Sequence, residues 1–340
     1  MTIDAWPGAE WATGRAPARA AACIDEAVDT CLADQARYGV HLGLVVIHRG
    51  RLVAERYGPT ADADTRLVSW SMAKSVVHAM IGLCVRDGLL RLDQPAPVAE
   101  WAGDERSTIT IDQLLAMCDG LAFREEYVDR EGSDVIDMLF GPGAPDVAGY
   151  ARARPLVHTP GTVWNYSSGT SNVLAAVVGD AVAPDARSPE ERRDRTEAWL
   201  RRELLDPLGM ASATARFDAA GTFVGSSFLY ATARDFARFG LLYLRGGWWR
   251  DRRLLPEGWA AHAATAAMAP VPAEEGSYGR HWWLWDASGF PDTFGAHGYE
   301  GQYTIVSPAR DLVVVRLGKT PAELRPNLLP LLRTIIAAFD

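Results

Sequence analysis

Ser71 and Lys74, one helical turn apart, are the residues whose types and spacing most favour chemistry. They lie at the start of the segment SMAKSVVHAMIGLCV, which is apolar on almost every side and therefore predicts a helix buried in the core. The few polar residues of this segment share one face of the helix: Ser71, Lys74, Ser75 and His78. A buried ammonium is costly unless it gains hydrogen-bond partners or its pKa falls, and either outcome favours a lysine that activates the neighbouring serine.

The use of lysine in this chain supports that chemistry. Lys74 and Lys319 are the only lysines among 34 basic residues, and arginine serves everywhere else. Arginine keeps its proton at physiological pH, whereas a desolvated lysine can lose one, so a lysine at this position indicates a chemical role. Ser71 begins the predicted helix, where free backbone N–H groups and the helix dipole can stabilise an oxyanion. We therefore predict Ser71 as nucleophile and as a backbone N–H donor of the oxyanion hole, and Lys74 as the base.

The Ser-x-x-Lys spacing also has a purely structural interpretation, because so short a pattern arises by chance in many chains. In that interpretation Ser71 caps the helix and Lys74 extends its ammonium to water. Ser75 and His78 are predicted to be hydrogen-bonded core residues rather than catalytic ones. The sequence lacks the motifs of two other hydrolase classes. An α/β-hydrolase would need a serine framed as Gly-x-Ser-x-Gly, and a metallohydrolase would need His-Glu-x-x-His; neither occurs.

The elements that must position this helix are strands at both ends of the chain. Two β-rich runs joined at Arg49-Gly50 predict a hairpin, and two more follow late in the sequence before an apolar helix. These segments are His41–His48, Arg51–Tyr57, Gln302–Ser307, Leu312–Leu317 and the helix Leu328–Phe339. Strands at both termini with helices between them predict an α+β fold, with one antiparallel sheet built from both ends of the chain and flanked by helices.

The middle of the chain predicts a mainly helical subdomain inserted into this sheet. We expect residues 18–95 and 216–340 to form the sheet subdomain and residues 96–215 the helical one, together making one domain. Within the insertion, Thr110 and Gln113 form a capping box for a helix that ends near Gly120. The Pro-, Arg- and Glu-rich stretch Ala183–Arg195 is expected to be a solvated surface connection.

Composition excludes several classes of partner. The net charge of −9 comes without a basic cluster, which argues against nucleic acid or an anionic membrane. No apolar run approaches the roughly 20 residues of a membrane span, and the N-terminal sequence lacks the features of a secretory signal, so we expect a cytoplasmic location. The cysteines show no metal-binding spacing, and Cys84 and Cys118 are expected to be buried thiols. We expect a small substrate, no cofactor and no metal; the oligomeric state stays open.

Several segments, taken in order, resemble motifs of the serine β-lactamase and penicillin-binding-protein superfamily. The resemblance spans roughly residues 20–335 and is strongest to the class C-like branch of esterases and 6-aminohexanoate-dimer hydrolases. These segments occurring together, in this order, identify the family far more specifically than any one segment does. The segments are Ser71–Lys74, Thr110–Leu121, Pro160–Gly169, Asp206–Met210 and Ala231–Asp235.

The resemblance assigns further site residues. Tyr166 and Ser168 match the second motif, Tyr-x-Asn or Tyr-x-Ser, in which the tyrosine protonates the leaving group and the third residue faces substrate. A core aromatic is the alternative role for Tyr166. The third motif usually carries Lys-Thr-Gly, but this chain reads Ala-His-Gly-Tyr over residues 296–299, without the lysine. The resemblance implies Tyr299 as the second oxyanion N–H donor, and His297 and Gly298 as substrate-binding residues; a structural loop histidine is the alternative for His297.

The missing lysine bears on the substrate, because that cation holds the carboxylate of a β-lactam. The resemblance therefore implies a serine hydrolase that cleaves a small ester or amide through an acyl-enzyme, as a carboxylesterase or a 6-aminohexanoate-dimer-hydrolase-like amidase. Lys319-Thr320 does not restore the motif, since Pro321 replaces its glycine. Two alternatives stay open at this point: a penicillin-binding-like module that is acylated or binds ligand without turnover, and a true β-lactamase.

Overall fold

The computed structural model describes residues 6–127, 132–272 and 276–340. In these ranges the central element is a seven-stranded antiparallel sheet. Its strands, in spatial order, are β2 (Arg51–Tyr57), β1 (Val40–His48), β12 (Leu312–Lys319), β11 (Gln302–Ser307), β10 (Phe294–Gly298), β9 (Trp283–Leu284) and β8 (Ser277–Tyr278). The N-terminal strand β1 pairs directly with the C-terminal strand β12, so strands from the two ends of the chain are neighbours within the sheet.

Two smaller sheets complete the strands of the described residues. One has three strands in the order β3 (Leu67–Val68), β5 (Leu229–Ala231) and β4 (Thr214–Ala215), and the other pairs β6 (Trp248–Trp249) with β7 (Arg252–Arg253). Strand β3 ends just before Ser69, and its pairing with β5 fixes the backbone that leads into the helix after Ser71.

Helices cover both faces of the main sheet. In chain order they are α1 (Ala18–Ala33), α2 (Gln35–Tyr38), α3 (Met72–Arg86), α4 (Ile111–Leu115), α5 (Asp134–Phe140), α6 (Val147–Arg152), α7 (Ser168–Val182), α8 (Pro189–Leu200), α9 (Asp206–Leu208), α10 (Ala233–Leu244), α11 (Trp259–Ala263) and α12 (Arg325–Ala337). A π-helical turn, Arg201–Leu205, joins α8 to α9. None of the helices in the described residues is long and apolar enough to cross a membrane.

The sheet separates two hydrophobic cores, because successive side chains of a strand point to opposite faces. On β1, Val45 and Ile47 pack into the larger core with α3, α7 and α10. Leu44 and Val46 pack into the smaller core under α1 and α12. Both faces are therefore buried, and α3 lies against the sheet with apolar contacts all around it.

The predicted α+β fold, with an antiparallel sheet built from both termini, is confirmed. The hairpin turn has Arg49 and Gly50 in the left-handed region, at φ 52° and 73°, as a two-residue turn between twisted strands requires. The capping box of Thr110 and Gln113 is present. The limits of the two subdomains stay a prediction.

Two details of the middle segment differ from expectation. The stretch expected to be a solvated connection is helical from Pro189, where α8 begins with the Ser188 side chain accepting a hydrogen bond from the Glu191 N–H. Its charges belong to an exposed helix rather than a loop. Helix α4 ends at Leu115, earlier than predicted, because Met117 takes a left-handed conformation at φ 58° that breaks the helix before Gly120.

Candidate active site

The turn before α3 is rigidly held and presents Ser71. The backbone N–H of Ser69 donates to the Leu229 carbonyl at 2.8 Å, and its hydroxyl lies 3.1 Å from the Ser227 carbonyl. Trp70 then adopts φ 45°, a conformation that a bulky residue keeps only when its surroundings enforce it. Ser71 occupies the position before the first residue of α3, yet its side chain makes no capping hydrogen bond. The hydroxyl is therefore available to Lys74.

Lys74 is buried with only 1% of its surface exposed, so it does not extend its ammonium to water. Its Nζ lies 2.9 Å from Ser71 Oγ, 2.9 Å from Ser168 Oγ and 3.0 Å from the Ser226 carbonyl oxygen. Burial lowers the pKa of Lys74 to about 8, and the Glu125 carboxylate opposes that shift. A lysine with such a pKa exists partly as the neutral amine near neutral pH, the form that can accept the Ser71 proton.

Tyr166 lies beside this pair, just before α7. Its ring centroid is 4.9 Å from Lys74 Nζ, and its ring packs at 5.4 Å against that of Trp283. Ser167 caps α7 by accepting a hydrogen bond from the Thr170 N–H at 2.9 Å, which fixes the backbone on which Tyr166 stands. The structure thus brings Ser71, Lys74 and Tyr166 together from two helix starts that are far apart in sequence.

A cavity of about 250 Å³ opens beside Ser71. Its described lining is apolar and aromatic apart from two serines: Trp70, Ser71, Tyr127, Ile136, Leu139, Phe140, Ser227 and Tyr299. Helix α5 supplies one wall of it, and no charged side chain belongs to the lining in the described ranges. Such a cavity suits an uncharged apolar group attached to the reacting carbonyl.

Strand β10 approaches the Ser71 turn so closely that only glycine fits at its end. A Cβ on Gly298 would lie 2.3 Å from the Ser69 carbonyl oxygen. Tyr299 follows, and its ring meets that of Trp70 edge to face at 5.7 Å. Glu300 then turns the chain at φ 59°. Gly298 therefore lets the backbone of Tyr299 come near the start of α3, where an oxyanion hole would be shared between the two segments.

Two residues to which the sequence assigned no role hold this turn. The side-chain amide of Gln302 donates to the Tyr299 and Glu300 carbonyls, both at 3.2 Å. Arg316, 1% exposed, donates to the Gly301 carbonyl at 2.8 Å, and burial lowers the pKa of its guanidinium to about 10. A buried arginine bonded to backbone carbonyls offered no sequence signal, since in the sequence it reads as one polar residue in an apolar strand.

The structure does not bring His297 to the group around Ser71. Its Nε2 accepts a hydrogen bond from the Trp285 indole N–H at 2.9 Å, its ring stacks on Trp283, and Tyr303 contacts it edge to face. Burial lowers the pKa of His297 to about 3. Ala296 faces the α3 core instead. A contact of His297 with substrate stays a prediction.

Ser168 is buried beside Lys74 rather than in the cavity lining, and its partner is a carboxylate that sequence reasoning also missed. Glu125 Oε1 lies 2.6 Å from Ser168 Oγ, and Glu125 Oε2 accepts the Ser168 N–H at 2.7 Å. The Tyr127 hydroxyl donates to Glu125 Oε1 at 2.6 Å. Glu125 lies in an irregular stretch without periodic pattern, so nothing in the sequence linked it to Lys74.

The rest of the polar face of α3 is satisfied as predicted. The Ser75 hydroxyl donates to the His281 carbonyl at 2.7 Å. His78 Nδ1 lies 2.7 Å from the Tyr243 hydroxyl and its Nε2 lies 3.2 Å from His262 Nδ1. Among the described residues no group of three or more His, Cys, Asp or Glu side chains is placed to hold a metal ion. All four cysteines are free thiols, and Cys84 and Cys118 are buried as predicted.

Comparisons with known proteins agree with this architecture. A model of the family described as Beta-lactamase matches residues 24–332. The 6-aminohexanoate-dimer hydrolase of Paenarthrobacter ureafaciens is 27% identical over 297 residues, which is 82% of this chain and 72% of that protein. A penicillin-binding-protein homologue from Caulobacter crescentus superposes with a TM-score of 0.70 at 18% identity, covering 96% of this chain and 99% of the homologue. A family VIII carboxylesterase superposes at 0.69 and 14% identity, covering 96% and 98%.

Proposed function

The chain belongs to the Beta-lactamase family and is a serine hydrolase, and we propose that it cleaves small, uncharged esters or amides through an acyl-enzyme at Ser71. One observation carries the proposal: the Ser71 hydroxyl lies 2.9 Å from a buried lysine amine and opens on an apolar cavity. The pair of Ser71 and Lys74 provides a nucleophile and a base, and the cavity provides room for an uncharged acyl group.

In the proposed first step, neutral Lys74 takes the proton of Ser71 as the serine oxygen attacks the substrate carbonyl. The carbonyl π electrons move to oxygen, where the N–H groups of Ser71 and Tyr299 stabilise the negative charge. One such donor is worth about 10²- to 10³-fold in rate. The closeness of β10 to the Ser69–Ser71 turn supports this pairing of donors.

Collapse of the tetrahedral intermediate expels the leaving group, and Tyr166 gives it a proton that Lys74 replaces. Water then attacks the acyl-enzyme, losing a proton to the same pair, and Ser71 regains its hydrogen as the acid departs. The Tyr166 ring lies with its centroid 4.9 Å from Lys74 Nζ, and this proximity supports Tyr166 as the proton donor.

The cavity supports esters or amides of neutral apolar acids over β-lactams. A β-lactam presents a carboxylate that requires a cation, and the third-motif position of that cation is Ala296 in this chain. The described lining includes the apolar side chains of Leu139 and Phe140 and the aromatic rings of Trp70 and Tyr299. An apolar acyl chain gains about 25 cal/mol for each Å² that it buries there.

The test is a screen of purified protein against a p-nitrophenyl ester of a short acid, a neutral linear amide, 6-aminohexanoate dimer and a chromogenic cephalosporin. Ser71→Ala is the matched control, since it removes one oxygen atom and leaves the fold. We expect the ester to be the best substrate and the control to be inactive. A cephalosporin as best substrate, or stoichiometric acylation of Ser71 without turnover, would contradict the proposal.

A further inference from the structure

We propose that Glu125 is a positioning residue that acts through Ser168: it fixes the direction of the hydrogen bonds around Lys74, so that the lone pair of the neutral amine is left to Ser71. The proposal rests on the function proposed above, in which Lys74 is the base. It starts from a single juxtaposition, a carboxylate separated from the lysine amine by one serine hydroxyl.

Both carboxylate oxygens of Glu125 already accept hydrogen bonds from the protein. Three donors point at its two oxygens: the N–H of Ser168 at 2.7 Å, the hydroxyl of Ser168 at 2.6 Å and the hydroxyl of Tyr127 at 2.6 Å. An ionised carboxylate accepts hydrogen bonds and donates none. With both oxygens so engaged, Glu125 is better suited to orient these donors than to bind a cationic group of the substrate.

Glu125 therefore fixes the partner to which the Ser168 hydroxyl donates its hydrogen. A hydroxyl has one hydrogen, and at 2.6 Å from an ionised carboxylate that hydrogen goes to Glu125. Toward Lys74, at 2.9 Å, the Ser168 oxygen can then only accept. The Ser226 carbonyl, at 3.0 Å from Nζ, can also only accept.

This leaves one arrangement for the neutral amine. Its two N–H groups match the two obligate acceptors, Ser168 and Ser226, and its lone pair points to the third neighbour, the Ser71 hydroxyl at 2.9 Å. Without the carboxylate, the Ser168 hydroxyl could turn around and donate to Lys74. It would then compete with Ser71 for the lone pair, and the nucleophile would lose its base for part of the time.

Besides orienting the hydrogen bonds, Glu125 affects Lys74 through its charge. The ionisable groups near Lys74 are Glu125, the phenols of Tyr166 and Tyr127, and His281. Burial lowers the pKa of His281 to about 3, so it is neutral, and burial holds the pKa of the Tyr127 phenol well above its usual range. Glu125 is the neighbour whose charge raises the pKa of Lys74. Removing its charge should lower the pKa of Lys74, because it opposes the effect of burial.

The experiment uses the rarity of lysine in this chain. Protein carrying carbon-13 at lysine Cε gives two signals, from Lys74 and Lys319, and Lys319 serves as an internal reference. We would titrate both signals from about pH 6 to about pH 11 and, in parallel, measure the rate at which a fluorophosphonate labels Ser71. The first measurement reports the Lys74 pKa without any need for activity, and the second reports activation of Ser71.

Four proteins are compared: wild type, Glu125→Gln, the double variant Glu125→Gln with Ser168→Ala, and Glu126→Gln. The last makes the same chemical change at the neighbouring, exposed glutamate and should match wild type. In Glu125→Gln we expect the Lys74 titration to move to lower pH while the plateau labelling rate falls about tenfold, the equivalent of one hydrogen bond. The double variant should label faster than Glu125→Gln, because it no longer contains a hydroxyl that competes for the lone pair.

The outcomes separate this proposal from the function on which it rests. A Lys74 titration that stays in place or moves to higher pH in Glu125→Gln overturns the role of the carboxylate, whatever the enzyme does. A double variant no faster than Glu125→Gln overturns the argument from hydrogen-bond direction. If wild-type Ser71 is not labelled at all, the proposed function fails, while the NMR titration still decides whether Glu125 sets the Lys74 pKa. The thermal midpoint of each variant identifies loss of fold.

Discussion

The polar face of α3 has two halves, and their hydrogen bonds are arranged in different ways. In the far half, the Tyr243 hydroxyl meets His78 at 2.7 Å, His78 meets His262 at 3.2 Å, and His262 meets Asp112 at 2.9 Å. Because ionised Asp112 only accepts, each histidine can donate toward it and accept from the group behind it, which gives a hydrogen-bond chain that runs in one direction. Both ring nitrogens of each histidine therefore have a hydrogen-bond partner.

The near half is left incomplete. Lys74 has three oxygen neighbours, and one of them is the hydroxyl of Ser71, which lines the cavity. Burial works on both halves, lowering the pKa of Lys74 to about 8 and holding the pKa of His78 well below its usual value. The difference teaches that burial of a polar stripe does not by itself make a site. Catalysis requires a group that can transfer its proton to or from a substrate. The near half meets this requirement, because Ser71 beside Lys74 lines the cavity.

The strongest test of this contrast is Lys74→Arg. Arginine keeps the charge and much of the length but cannot give up its proton, so we expect turnover of the best ester to fall about 10³-fold or more. Labelling of Ser71 by a fluorophosphonate at neutral pH should be lost as well. Both are measured on the same purified variant.

Misfolding is the main confounder for Lys74→Arg, since the guanidinium could overpack a buried helix. The thermal midpoint must therefore be measured beside the kinetics. A well-folded variant that keeps more than about a tenth of the wild-type kcat would remove Lys74 from the mechanism, because loss of a general base should cost at least about 10²-fold.

Tyr166→Phe gives the next largest effect. The substitution removes one oxygen and keeps the ring that packs on Trp283, so the fold should persist. We expect kcat for an ester to fall about 10²-fold, with a larger loss for an amide, whose leaving group needs the proton more. Steady-state kinetics on the two substrates measure this. Near-normal turnover of both would mean that Tyr166 serves only to pack the pocket wall.

Much of the fold and half of the site could be predicted from sequence because their signals are local. The hairpin at Arg49-Gly50, the capping box at Thr110 and the polar stripe on α3 each lie within a few residues. Glu125 and Arg316 could not be predicted in the same way. Glu125 is 51 positions from Lys74 in sequence and reaches it only through Ser168, a contact that exists because the fold brings α7 against α3.

The face of a strand to which a side chain points is likewise not encoded by a local sequence pattern. The family resemblance implies that His297 belongs to the third motif, but which face of β10 carries its ring depends on the register with β11, where His297 pairs with Tyr303. A shift of one residue reverses every side chain of a strand. Register is decided by pairing along the whole sheet and by close approaches such as Gly298 to Ser69, which no local pattern encodes.

His78→Leu should produce the opposite result to Lys74→Arg. It leaves the Tyr243 hydroxyl and His262 Nδ1 without their partner, and each unsatisfied group costs about 1–3 kcal/mol. We expect the free energy of unfolding at pH 7.5 to fall by about 2–4 kcal/mol while kcat stays within about threefold of wild type. Urea unfolding and ester turnover measure the two effects. A variant that is stable but inactive would assign His78 to the chemistry and erase the contrast between the halves.

The smallest effect is a pH dependence of that stability loss. Burial holds the pKa of His78 well below 6.5, so below that pH the unfolded chain binds a proton that the folded protein refuses. In wild type, His78 therefore lowers the free energy of unfolding as the pH falls below about 6.5, by at most about 1.4 kcal/mol per pH unit. His78→Leu has no such proton to bind, and His41, His281 and His297 contribute in the same direction to both proteins. The difference in unfolding free energy between the two proteins should thus narrow as the pH falls from 6.5 to 5, by at most about 2 kcal/mol. A difference that stays constant or widens toward pH 5 would show that His78 is charged in the folded protein, and that it does not accept a hydrogen bond from Tyr243 as the one-directional chain requires.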